Sequence, residues 1–175
     1  MAIDESLAFK PVRIALLTVS DTRTLAEDTS GDILAQRIAN AGHELVVREI
    51  SHDDVNEIDA HLHRWIEDES IDCIVCTGGT GLTGRDVTPE ALDRVKSKDV
   101  PGFGELFRWL SYETIGTSTI QSRACAVVAR GTYIFALPGS NGAVKDGWDK
   151  ILIHQLDSRY RPCNFVELMP RLRER

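Results

Sequence analysis

Apolar residues along this chain follow two rhythms. Residues 12–20 (VRIALLTVS) form an almost continuous apolar run, the pattern of a strand covered on both faces. Residues 30–42 (SGDILAQRIANAG) then place Ile33, Leu34, Ile38 and Ala41 near helical spacing, with Gly42 as the stop. Residues 43–50 (HELVVREI) read as a second strand. Residues 54–70 set Ile58, Leu62, Trp65 and Ile66 on one helical face, and 71–77 (IDCIVCT) form a third, buried strand. Thr88, Pro89 and Glu90 predict an N-cap, a first-turn proline and a first-turn acid suited to the helix dipole. Residues 102–113 predict an amphipathic helix through Phe103, Leu106, Phe107 and Leu110. Residues 124–137 predict two short antiparallel strands about RGT, and 142–156 a further helix. The rest of the tail is less regular.

Strands alternating with helices predict an α/β fold, a mostly parallel sheet with helices on both faces. Such sheets bind ligands beyond the carboxyl ends of their strands, near a switch in strand order. The loops there read SDTRT, SHDD, TGGTGLTGRD and PGSNG, each carrying small, hydroxyl or acidic residues. Their convergence is the functional signal in the pattern.

Composition narrows this picture. The chain has 175 residues, 42% hydrophobic and 27% charged, as expected of one soluble domain. Residues 1–11 are expected to be an N-terminal extension, 12–164 a single domain and 165–175 a tail. No apolar run is long enough to span a bilayer, and the acids of MAIDESLAFKPVR do not suit a secretory signal, so a cytoplasmic protein is expected. A net charge of −7 with no basic run argues against nucleic acid and anionic membranes as partners. An anionic ligand would then need backbone dipoles, a few Arg or Lys, and metal. Cys73 and Cys76 have redox or zinc spacing, but residues three apart on a strand point to opposite faces. All four cysteines, with Cys125 and Cys163, are expected to be small buried hydrophobes. His52 is expected on the surface, and His61 and His63 in solvent.

The glycine loop holds the candidate chemistry. Gly79-x-Gly81-x-x-Gly84 matches the dinucleotide fingerprint in form, but it follows the third strand, and Asp86 beside it would repel a pyrophosphate. An ATP P-loop is excluded because no Lys-Ser/Thr follows. A tight turn without ligand explains three glycines poorly. The remaining reading is a run of backbone N–H groups for an anion, with Asp86 alongside. Phosphate plus carboxylate suits Mg²⁺, and Asp53 or Asp54 could supply a second carboxylate. Asp54 also fits the N-terminus of a helix.

TGGTGLTGRDVTPEAL, PGFGELFRWLS, IGTSTIQSRACAVV and ALPGS together resemble the MoaB/Mog family of molybdenum cofactor biosynthesis, over residues 12 to 164. LDSRYRPCNF and GTSTIQSR point to its MoaB branch. The resemblance implies a three-layer α/β/α domain with a mostly parallel mixed sheet, and molybdopterin as ligand. It implies transfer of AMP from Mg·ATP to the pterin phosphate, with release of pyrophosphate. It assigns Asp86 and Asp53 as catalytic and Mg²⁺-binding. It assigns substrate binding to Gly78, Gly79, Thr80, Gly81 and Arg85, to Ser20, Asp21, Asp28, Ser30 and Gly31, and to Ser122, Arg123, Pro138, Gly139 and Ser140.

Asn141 stands where many adenylylating members have proline, which is expected to loosen that loop, whereas Arg85 is kept beside Asp86. A pterin-binding paralogue without transfer, or another nucleotide-binding enzyme on the same fold, therefore remain open. The resemblance and the apolar segment from Phe103 to Trp109 predict a homo-oligomer, a trimer or hexamer. Gly79→Val is expected to block ligand without unfolding. Asp86 is expected to hold Mg²⁺ rather than to support its turn.

Overall fold

The computed structural model describes residues 3–174. Among these residues six strands form one mixed sheet in the order β2-β1-β3-β6-β5-β4. They are β1 (Arg13–Val19), β2 (Glu44–Ser51), β3 (Cys73–Thr77), β4 (Lys98–Asp99), β5 (Cys125–Ala129) and β6 (Thr132–Leu137). β2, β1, β3 and β6 run parallel, while β5 is antiparallel to both β6 and β4. The expected hairpin closes at Arg130 and Gly131, both at positive φ.

Successive side chains of a strand point to opposite faces, so each apolar run feeds two cores. Ile14, Leu16, Val75, Tyr133 and Phe135 pack with α1 (Thr29–Asn40), α4 (Pro101–Ile115) and α5 (Asn141–Gly147). Ala15, Leu17, Ile74, Cys76 and Ile134 pack with α2 (Val55–Ile66) and α3 (Thr88–Val95). The result is the three-layer α/β/α arrangement. α1 and α3, which follow β1 and β3, pack on opposite faces of the sheet, so the loops after those two neighbouring strands diverge and open a crevice between them. α5 continues through a π-helical turn (Trp148–Leu152), and a 3-10 turn (Gly116–Gln121) follows α4.

Cys73 and Cys76 are buried on opposite faces, and all four cysteines are free. Cys163, however, is exposed because it lies in the loop before the last short helix, outside both cores. His61 is not simply solvated either: its Nδ1 lies 2.9 Å from Glu49, and its ring packs beside Trp65. Asp54 caps α2 as expected, accepting from the N–H groups of Asn56 and Glu57. Residues before β1 fold back onto the C-terminal loop: Ile3 bridges Tyr160, and the Lys10 N–H donates to Ser158 Oγ. No helix among the described residues is long and apolar enough to cross a membrane. β4 gave no periodic signal because it is two exposed residues long.

Candidate active site

The carboxyl ends of β1, β2, β3 and β6 surround a cleft with two limbs. The polar limb, about 460 Å³, takes Ser20, Thr22 and Arg23 from the first loop and Asp53 from the second. The third loop adds Gly78 to Gly81 with Asp86, and the fourth Pro138 to Ser140. The apolar limb, about 280 Å³, runs between α4 and α5. Phe107, Ile115 and Ala143 supply its apolar wall, and Ser111, Thr114 and Thr119 add hydroxyls. Thr80, Gly81, Pro138 and Ser140 line both limbs, so the two share a wall.

Gly78 and Gly79 have φ +103° and +62°, which L side chains rarely adopt. A Cβ on Gly78 would lie 2.2 Å from the Val19 carbonyl oxygen, and one on Gly79 2.4 Å from Thr88 Oγ1. Gly79→Val would thus strain the fold as well as fill the anion space, which corrects the expectation that it spares folding. Thr88 is not an N-cap. It lies inside α3, and its hydroxyl donates to the Gly78 carbonyl at 2.8 Å, pinning the loop to the helix. Pro89 occupies the first turn as expected. The N–H groups of Gly79 and Thr80 have no partner among the described residues, so two adjacent donors belong to residues lining the polar limb, and Thr80 also belongs to the wall shared with the apolar limb.

Three acids surround this loop. Asp53 accepts from the Asp21 N–H at 3.0 Å, and the Asp53 N–H donates to Asp21 Oδ1 at 3.0 Å. Burial, then the charge of Asp21 and more weakly that of Asp86, push the Asp53 carboxyl above its usual range. Asp86 folds back on its own turn, accepting from the Thr83 N–H at 2.8 Å and the Thr83 hydroxyl at 2.6 Å. Burial opposes its ionisation, but the Thr83 bonds and the Gly81 N–H outweigh it, so its carboxyl sits below the usual range. The expectation that Asp86 does not support the turn is therefore corrected: it supports the turn and also lines the polar limb. Among the described residues no group of three His, Cys, Asp or Glu side chains is arranged as a complete metal site.

Other expected contacts lie elsewhere. Asp28 is fully buried and caps α1, accepting from Thr18 Oγ1 at 2.6 Å, the Gly31 N–H at 2.9 Å and Arg48 Nη2 at 2.9 Å. Burial raises its pKa, but those donors outweigh burial and hold it below the usual range. A Cβ on Gly31 would lie 2.0 Å from the Asp28 carboxylate, so this glycine serves the cap and not a ligand. Ser30 is buried between Asp28 and Arg23. Arg123, expected at the substrate, is instead a clamp: it donates to the carbonyls of Gly81 and Asp86 and to the Glu90 carboxylate. Arg85 pairs with Asp21 at 2.9 Å and is largely exposed at the rim. Ser122 lines the apolar limb. Asn141 does not loosen its loop, because its side chain accepts from Thr29 Oγ1 at 3.0 Å while Ser140 caps α5.

Sequence reasoning missed Arg23, although it sits in the SDTRT loop that the pattern had singled out. It also missed the apolar limb, whose walls come from a helix, a 3-10 turn and a helix start far apart in the chain.

The family described as "Probable molybdopterin binding domain" matches residues 15–158. The chain is 49% identical over 160 residues to molybdenum cofactor biosynthesis protein B of Escherichia coli K12, covering 91% of this chain and 94% of that one. A crystal structure of molybdenum cofactor biosynthesis protein B superposes with TM-score 0.86 at 35% identity, covering 97% of this chain and 100% of that one. The tungsten cofactor synthesizing protein MoaB from Pyrococcus furiosus gives TM-score 0.78 at 33% identity, covering 95% and 100%. With a glycine loop, acids and a two-limbed cleft on this fold, the chain belongs to the MoaB/Mog family of molybdopterin-binding proteins, on its MoaB branch.

Proposed function

We propose that this protein serves molybdenum cofactor biosynthesis by binding molybdopterin in the two-limbed cleft and transferring AMP from ATP to the pterin phosphate. The observation that carries this is the shared wall. A flat heterocycle with an anionic end needs an apolar slot opening onto a phosphate-binding loop, and Thr80, Gly81, Pro138 and Ser140 join one to the other. The family and its named relatives supply the chemical identity of the ligand.

The residues fit Mg²⁺ as the partner of ATP. Asp53 carries unfavourable charge from Asp21 and Asp86, which a cation would relieve, and Mg²⁺ needs only one or two carboxylates besides phosphate oxygens and water. When bound it would neutralise phosphate charge and the departing pyrophosphate. The chain itself supplies alignment. The Gly79 and Thr80 N–H groups hold a phosphate close to backbone, and the acids keep the cation on one side of it. Arg123 keeps the glycine loop in place by holding two of its carbonyls. A phosphate nucleophile is largely ionised near neutral pH, so no side chain has to take its proton.

Incubation of the protein with Mg·ATP and molybdopterin, followed by measurement of pyrophosphate, tests the transfer. Release above the no-pterin control is expected, and pterin binding with no release would leave a binding protein alone. That second reading has support in Asp86, whose carboxylate is already bonded by Thr83. We also propose a homo-oligomer. Phe103 and Phe107 are core, but Trp109, Tyr112 and Ile120 stand exposed on α4 and the turn after it. Light scattering at micromolar concentration should give a multiple of 19.4 kDa, and a monomer would defeat the idea.

A further inference from the structure

We infer that Arg23 is the side chain that holds the ligand's phosphate in the polar limb, on the side away from the acids. This rests on the reading of the cleft as a phosphate site. Among the described residues that line that limb, Arg23 is the one cationic side chain. Its neighbours of the same charge are engaged elsewhere. Arg85 pairs with Asp21 at the rim, Arg48 holds Asp28 and Asp32, and Arg123 clamps the glycine loop.

Its placement is prepared locally. Ser20 Oγ accepts from the N–H groups of Thr22 and Arg23, each at 3.3 Å, which fixes the turn that carries the side chain. The guanidinium then reaches across the cleft. Its Nη1 donates to Ser30 Oγ at 3.0 Å and, more weakly, to the Gly139 carbonyl at 3.4 Å. Strand order sets the direction of that reach: β2 with Asp53 lies at one end of the site, and β6 with Gly139 at the other. One nitrogen anchors the side chain, while Nε and Nη2 have no partner among the described residues. A planar fork with two donors remaining matches two phosphate oxygens. The cleft is thereby polarised. The oxygens of a phosphomonoester or pyrophosphate that face Asp53 and Asp86 need a cation, and those that face Arg23 do not.

The test uses inorganic pyrophosphate in metal-free buffer, titrated calorimetrically into the full chain. The wild type should bind it, Arg23→Gln should weaken binding at least tenfold, and Arg23→Lys should fall between. Melting temperature and the binding of 6-hydroxymethylpterin, which has no phosphate, should stay unchanged in both variants. Pyrophosphate affinity unchanged in Arg23→Gln overturns the assignment. So does an equal loss of pyrophosphate, pterin and melting temperature in both variants, since Arg23 would then only brace Ser30 and Gly139. If pyrophosphate binding depends on Arg23 but no pterin binds the wild type, the inference stands and the pterin reading fails. If pterin binds and pyrophosphate is indifferent to Arg23, the reading stands and the inference fails.

Discussion

Asp28 and Asp53 both lie just beyond the carboxyl ends of strands, and both were expected at the site, yet the structure gives them opposite surroundings. Asp28 is fully buried and meets donors on every side: a hydroxyl from β1, the backbone of α1 and the guanidinium of Arg48 on β2. Asp53 lies at the cleft with one backbone donor and two other acids nearby. The carboxyl pKa of the first is held down and that of the second pushed up. The difference teaches that an acid in a binding loop is a candidate for chemistry only when its own fold leaves its charge unanswered. Asp28 builds the first loop, whereas Asp53 is left for something to bind.

The largest effect that could break this comparison is on stability at Asp28. Asp28→Asn keeps the size and the ability to cap, but leaves Arg48 with Asp32 as its one remaining carboxylate partner among the described residues. A loss of roughly 3 kcal/mol is expected, at the low end for breaking a buried pair because Arg48 keeps one partner. Urea unfolding at pH 7 measures it, and a loss under about 1 kcal/mol would place Asp28 with the surface acids. The pH dependence follows from the sign of the shift. A carboxylate whose folded pKa is depressed stabilises above its usual value of 3.8, and that contribution disappears as pH falls through the lower folded value. The gap between wild type and variant should therefore close in acid and be full at neutrality.

Much of this architecture was legible beforehand because its signals are local. β1, β2 and β3 are long apolar or alternating runs, and the capping of α2 by Asp54 needs only its own neighbours. The meeting of four loops at one sheet edge follows from strand order. The division of labour within those loops was not legible, because it depends on partners distant in sequence. Arg123 is separated from Gly81 by 42 positions, and Arg48 from Asp28 by 20. Nothing in SRAC distinguishes an arginine that grips a ligand from one that grips a loop. Arg23 is the converse case, a residue of ordinary local appearance made into a site residue by Ser30 and Gly139.

The second effect concerns Asp86, which stands between the two extremes: it is bonded by its own turn yet faces the cleft. If only the turn matters, Asn accepts from the Thr83 N–H equally well and turnover survives. If the charge faces a bound cation, Asp86→Asn should fold normally and lose about 10² in pyrophosphate release, the scale of one electrostatic stabiliser. Release near the wild-type rate would assign Asp86 to the turn alone.

The smallest effect has the opposite sign. Without ligand, the Asp53 charge is disfavoured first by burial and then by Asp21 and Asp86, so ionised it weakens the fold it belongs to. Asp53→Asn keeps an oxygen that can accept from the Asp21 N–H, so the bond between the first and second loops survives while the repulsion is removed. Part of the cleft is open to water, which screens the charges, so the gain should stay below about 1 kcal/mol. It should appear as a small rise in melting temperature at neutral pH, with pyrophosphate release falling in the same protein. A functional site commonly carries such a cost, because charges placed for a ligand oppose each other in its absence. Adding Mg²⁺ with ATP should stabilise the wild type and raise the variant less, reversing their order or narrowing the gap. A variant less stable than the wild type without ligand would show that Asp53, like Asp28, has its charge answered within the fold, and the contrast between the two acids would collapse.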